Sequence, residues 1–210
     1  MGISIHDLSK TVLALRLVFW GGLITVLDFK INGFDLLHDL IGMILITFGV
    51  FILASVPVHQ RYRRVMVFVL VMTVLSVLNT IRVSAGIELP SGAGMVLSIY
   101  NIVALGAICA FCLAMLWLCV EARLPRAMES WRLTTFLFVG IYFVPMGLFY
   151  AIGFLFQMQG KEFHFNINNA CGVFVLLGIF AVPLIHLFIS TSRMRREIAA
   201  STYTGVDSEM

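Results

Sequence analysis

Charge is the scarce ingredient of this sequence: 14 basic and 11 acidic residues among 210, or 12%. A soluble domain carries about a quarter charged residues to keep its surface in water. A soluble fold is therefore excluded, and a 60% hydrophobic composition with a mean hydropathy of +1.01 directs the surface toward lipid. The alternating polar and apolar stretches of a membrane β-barrel are also lacking, since residues 65–75 are apolar throughout except for Thr73. Catalytic signatures are lacking too: no GxSxG, HExxH, GxxxxGK[ST] or GxGxxG element stands in a context that supports hydrolase, protease or nucleotide chemistry. Residues 1–10 lack a basic leader and no small-residue cleavage site precedes Asp28, so the first apolar segment reads as a retained helix.

What is present is a series of apolar runs separated by the few charges. A helix needs about 20 residues to cross about 30 Å of hydrocarbon. The runs predict an all-α polytopic transmembrane bundle of about six helices, at Leu8 to Leu27, Leu36 to Val56, Val65 to Ile81, Gly94 to Val120, Leu133 to Phe156 and Ala170 to Ile189. They form one domain over residues 1–192, with 193–210 as a short cytoplasmic tail. The basic residues Lys10, Arg16, Arg61, Arg63, Arg64, Arg123, Arg126, Arg132, Arg193, Arg195 and Arg196 fall on one side of this arrangement. Lys30, Arg82 and Lys161 fall on the other, so the positive-inside rule places both termini in the cytoplasm. Because topology accounts for the basic residues, nucleic acid is excluded as a partner. The arginines at 61–64 and 193–196 number fewer than the four to eight usual in lipid-binding clusters, and topology explains them as well.

The densest polar segment, DFKINGFDLLHDLIG over residues 28–42, has two readings. Asn32-Gly33 is a turn dipeptide, Asp35 is placed to cap the second helix, and Asp39 lies near that helix's positive end. Equally, Asp35, His38 and Asp39 fall at i, i+3 and i+4, a spacing that suits an ion or proton site, with Asp28 nearby. The metal, if any, is not specified by this pattern. The order D-F-x-I-N-G-F-D-x-L-x-D-x-I-G resembles the signature of an uncharacterised family of small multi-pass bacterial membrane proteins, over about residues 18–50. In that family a proline often stands where this chain has His38. The resemblance implies a bacterial cytoplasmic (inner) membrane address and carries no established activity.

Other polar positions read as packing. Thr73, Ser76, Asn79 and Thr80 on the third helix and Ser98, Tyr100 and Asn101 at the start of the fourth lie in the half of the membrane opposite the arginines; such residues usually form interhelical hydrogen bonds, the alternative being a polar cavity that opens outward. The Cys109-Ala110-Phe111-Cys112 CxxC and Cys119 lie in an apolar helix and read as small packing residues. His59 with His186, or His38 with His164, are topologically possible haem pairs. His59 nevertheless reads as a solvated interface residue and His186 as a partner for a carbonyl freed by Pro183, so no cofactor is implied. Pro145, among Gly140, Gly147 and Gly153, predicts a kinked, closely packed fifth helix and a candidate hinge, with Gly172 and Gly178 opposite. Trp20, Trp117 and Trp131 predict interfacial anchors.

Two non-enzymatic functions lead, with an intramembrane enzyme as a third. A small transporter or ion- or ligand-binding protein would use Asp28, Asp35, His38 and Asp39, with Pro145 as hinge and a cavity reaching into the membrane. A structural or assembly subunit, joined to a membrane-protein partner or a second copy, would have a solid core with its polar groups satisfied internally. An intramembrane redox enzyme would require Cys109 and Cys112 to converge on a cavity.

Overall fold

Long apolar runs in lipid have one economical solution, because every backbone N–H and C=O must be satisfied within the chain itself. The computed structural model describes residues 5–26, 36–87, 93–159 and 170–206, and among them it is all-helical. The helices are α1 (Ile5–Val26), α2 (Leu36–Ala54), α3 (Gln60–Ser84), α4 (Ala93–Glu121), α5 (Pro125–Leu137), a π-helical turn (Phe138–Phe143), α6 (Val144–Met158) and α7 (Ala170–Val206). Because α5, the π turn and α6 are continuous, the described residues form six rods. Four stretches, Asp7–Thr25, Gln60–Ser84, Ala93–Glu121 and Pro125–Phe156, are long and apolar enough to cross a membrane.

The connections at the arginine-rich end are built from specific bonds. Pro57 follows the end of α2, and the His59 side chain then caps α3, its Nδ1 accepting the Tyr62 N–H at 3.0 Å. The buried Tyr62 hydroxyl donates back to the Leu53 carbonyl at 2.8 Å, closing the turn. Between α4 and α5 the Leu124 N–H reaches the Cys119 carbonyl at 2.9 Å and the Arg123 N–H reaches that of Val120 at 3.2 Å. This Schellman-type end places Arg123 at φ 55°, a left-handed position that glycine usually fills. Pro125 then opens α5 within its first turn, where a missing N–H costs nothing.

Three helices extend beyond the bounds that hydropathy predicts. The third starts at Gln60 rather than Val65, the fifth at Pro125 rather than Leu133, and the sixth continues from Ile189 to Val206. Hydropathy marks the hydrocarbon layer, whereas hydrogen bonding continues through arginine-bearing turns outside it. In particular, α7 passes through Arg193 without a break, and Met194 and Ile198 are buried in the same core as Leu15, Met115 and Trp131.

Sequential rods pack as neighbours, and α7 closes the bundle by lying against both α1 and α5. The closest pairing is α1 with α2. A Cβ on Gly21 would lie 2.5 Å from the Gly42 carbonyl oxygen, and one on Gly49 would lie 2.7 Å from that of Ala14. These glycines let two backbones touch. The close approach predicted around Pro145 is not found at Gly140, Gly147 or Gly178, where a Cβ would meet nothing within 4 Å. Pro145 is itself exposed, and the helix widens just before it: the Val144 N–H reaches back to the Val139 carbonyl, the π spacing. Proline lacks the donor for the Ile141 carbonyl and its ring crowds that oxygen, so a wider turn relieves the clash.

Burial is uneven along the bundle axis. Tyr62, Met66, Met115, Leu118, Trp131, Met194 and Ile198 form a dense core at the arginine-rich end. Toward the opposite end no residue of 73–84, 93–106 or the described part of α6 is fully buried. There α6 leans on α4, whereas α7 leans on α1, α5 and the π turn.

Candidate functional site

The most unusual chemistry among the described residues lies between α5 and α7. Ser130 and Thr134 stand one turn apart on α5, and His186 and Ser190 one turn apart on α7, so each helix presents two polar groups on one face. The faces meet. Ser130 Oγ lies 2.7 Å from Ser190 Oγ, which lies 2.7 Å from Thr134 Oγ1. Thr134 Oγ1 is 2.8 Å from His186 Nδ1 and 3.0 Å from the Ser130 carbonyl oxygen. Ser130, Thr134 and Ser190 are all essentially inaccessible.

The Ser130 carbonyl can only accept from the Thr134 hydroxyl, whereas the direction of the Ser130–Ser190, Ser190–Thr134 and Thr134–His186 contacts follows the His186 tautomer, and Ser190 Oγ also lies 3.4 Å from His186 Nδ1. If Thr134 gives its hydrogen to that carbonyl, the His186 Nδ1–H donates to Thr134 and the neutral imidazole keeps its lone pair on Nε2. His186 is thus the ionisable member of an otherwise neutral, buried hydroxyl cluster, which makes it a candidate functional residue.

Below this cluster, α7 closes the bundle. The Glu197 carboxylate accepts the Ala127 N–H at 2.7 Å and the Arg126 N–H at 3.2 Å, capping α5, whose own N-cap residue Leu124 has no side-chain bond to offer. A carboxylate at a helix's positive end is favourable in charge as well as in hydrogen bonding. One turn earlier the Cys119 thiol lies 3.8 Å from the Met194 sulfur, both buried.

The residues singled out in the sequence fare differently. Asp28 and Asp35 lie outside the described residues, as does the His38 side chain, so their convergence with Asp39 is not described. Asp39 is half-buried in the first turn of α2, where the helix dipole favours it. His186 bonds the Thr134 hydroxyl rather than a proline-freed carbonyl, because α5 brings a hydroxyl within reach. His59 is exposed, as expected of an interface residue, but its Nδ1 is engaged as a cap and its ring lies 5.2 Å from that of Trp117. Trp131 is fully buried against Phe111 rather than anchored at the interface. Cys112 and Cys119 are buried and Cys109 is half-buried in the α4 packing.

Several hydroxyls of α3 and α4 are engaged locally. Ser76 joins Tyr100 across the two helices at 2.7 Å, and Thr73, Thr80 and Ser98 bond carbonyls of their own helices. No three His, Cys, Asp or Glu side chains converge as a metal site among the described residues. Ser130, Thr134, Ser190 and Glu197 were not legible as a site in the sequence. The available signal was the pair of i, i+4 polar couples, which becomes informative only once α5 and α7 are known to be neighbours.

Searches of protein-family models, curated proteins and solved structures return no match to this chain.

Proposed function

We propose that this protein is a small transporter or ion- or ligand-binding membrane protein, held here with its arginine-rich half closed. The observation that carries this reading is the asymmetry of packing. One half is dense and pinned by the Ser130–Ser190–Thr134–His186 chain and the Glu197 cap, while the other half has few buried residues and receives the polar groups of α3 and α4. A bundle sealed at one end and loose at the other suits a site entered from the loose end. His186 belongs to the hydroxyl cluster that joins α5 to α7 at the seal, and a π turn lies just before Pro145. By charge distribution the sealed end faces the cytoplasm, and the resemblance of residues 28–42 supports a bacterial inner membrane.

A second reading, a structural or assembly subunit, is favoured by the internal satisfaction of the described hydroxyls. Thiol accessibility separates the two. In a cysteine-free background, Ser76→Cys and Asn101→Cys should react with a membrane-impermeant maleimide added to the non-cytoplasmic side, and a ligand found by thermal-shift screening should protect them. Asp39→Asn should abolish that ligand's stabilising effect. Unreactive cysteines at both positions, together with co-purification of a stoichiometric membrane partner, would favour the subunit reading.

A further inference from the structure

The structure places an anion site at the start of α3 that the count of arginines in the sequence does not suggest. Gln60, Arg63, Arg64 and Val67 fall at i, i+3, i+4 and i+7, and they line one open groove of about 380 Å³. Arg63 and Arg64 are exposed, and no carboxylate among the described residues pairs with either. The first turn of α3 contains no acidic residue, and its N-terminus is capped by the His59 ring rather than by a carboxylate. Two arginines thus line one depression along the first turns of α3.

A second feature specifies what kind of anion. The groove ends on Val67, which is 47% exposed, and the same helical stripe continues into Val71 at 51%, Val74 at 42% and Leu78 at 56%. The α3 stretch Gln60–Ser84 is one of those long and apolar enough to cross the membrane. An apolar track running from a cationic groove into the bilayer matches a phosphate headgroup with its acyl chains, and a soluble anion has no use for it. We propose that Gln60, Arg63, Arg64 and Val67 hold the phosphate of an anionic phospholipid whose acyl chain lies along the outer face of α3. This inference stands apart from the transport reading and survives its failure.

The test uses detergent-purified, delipidated full-length protein with phosphatidylglycerol, phosphatidylcholine or inorganic phosphate as the added probe, read by native mass spectrometry and thermal midpoint. Wild type is expected to retain phosphatidylglycerol in preference to phosphatidylcholine and to be stabilised by it. Arg63→Gln/Arg64→Gln should weaken phosphatidylglycerol binding about thirtyfold, the loss expected of two arginines at an anionic surface. Its thermal midpoint without lipid should be unchanged, because neither side chain has a partner to lose among the described residues. Arg132→Gln/Arg196→Gln removes the same charge from exposed positions elsewhere and should leave binding near wild type. Equal losses in the two double variants would overturn the proposal in favour of bulk charge. Stabilisation by inorganic phosphate equal to that by phosphatidylglycerol would overturn it in favour of a soluble anion, and equal retention of phosphatidylcholine would overturn it outright.

Discussion

At the scale of single residues, the clearest departures from standard chemistry are Arg123 and the Thr134–His186 pair. Arg123 occupies a left-handed backbone position, which costs a residue with a Cβ about 1–2 kcal/mol. Arg123→Gly should therefore raise stability by about 1 kcal/mol, seen as a higher midpoint in denaturant unfolding from detergent micelles. The interhelical bond between His186 and Thr134 is of a kind worth on average about 0.6 kcal/mol in membranes and seldom more than about 1.7. A double-mutant cycle with Thr134→Val and His186→Leu should return a coupling in that range. A coupling near zero would mean that the pair is not formed in the membrane.

At the scale of elements, α1–α2 and α5–α7 hold together by different means. Gly42→Ala should destabilise the protein, because the new methyl would lie 2.7 Å from the Gly21 carbonyl oxygen, a backbone atom that cannot turn aside. Gly147→Ala meets open space and should be neutral, or stabilising by up to about 1 kcal/mol through helix propensity. Thermal midpoints of the two variants, measured side by side, check both predictions. Glu197→Gln keeps the hydrogen-bonding shape but removes the charge at the α5 terminus, and should cost about 0.5–1 kcal/mol in the same assay. Existence and order of the helices were legible in the sequence because apolar length alone specifies them. Their ends were not, because His59, Pro125 and the arginines of α7 extend helices into a layer that hydropathy does not register. Glycine was legible only as a residue type: which of Gly42 and Gly147 faces a neighbour depends on how each helix is rotated, and pairing decides that.

At the scale of the whole molecule, the division is between a dense arginine-bearing end and a loosely packed opposite end. The acidic segment at residues 28–42 drew attention in the sequence because its carboxylates are close together along the chain. The α5–α7 cluster did not, because Ser130 and Ser190 are 60 positions apart and ordinary one at a time. The orientation itself is open to direct measurement. A fluorescent-protein fusion after Val206 should fold and emit, whereas an alkaline phosphatase fusion there should be inactive; a reporter placed after Gly86 should give the opposite pair of results.

The cap that Glu197 places on α5 also dictates an order of events during biosynthesis. Ala127 and Glu197 are separated by 70 residues, so α5 leaves the ribosome with its terminal amides uncovered and must wait for most of α6 and α7 to be made. Met194 and Ile198 arrive at the same moment and fill the same core. Through that interval α5 is without its cap and the core is without Met194 and Ile198. Mutations near residues 194–198 would then lower the amount of protein that survives synthesis more than they lower the stability of the molecules that complete it.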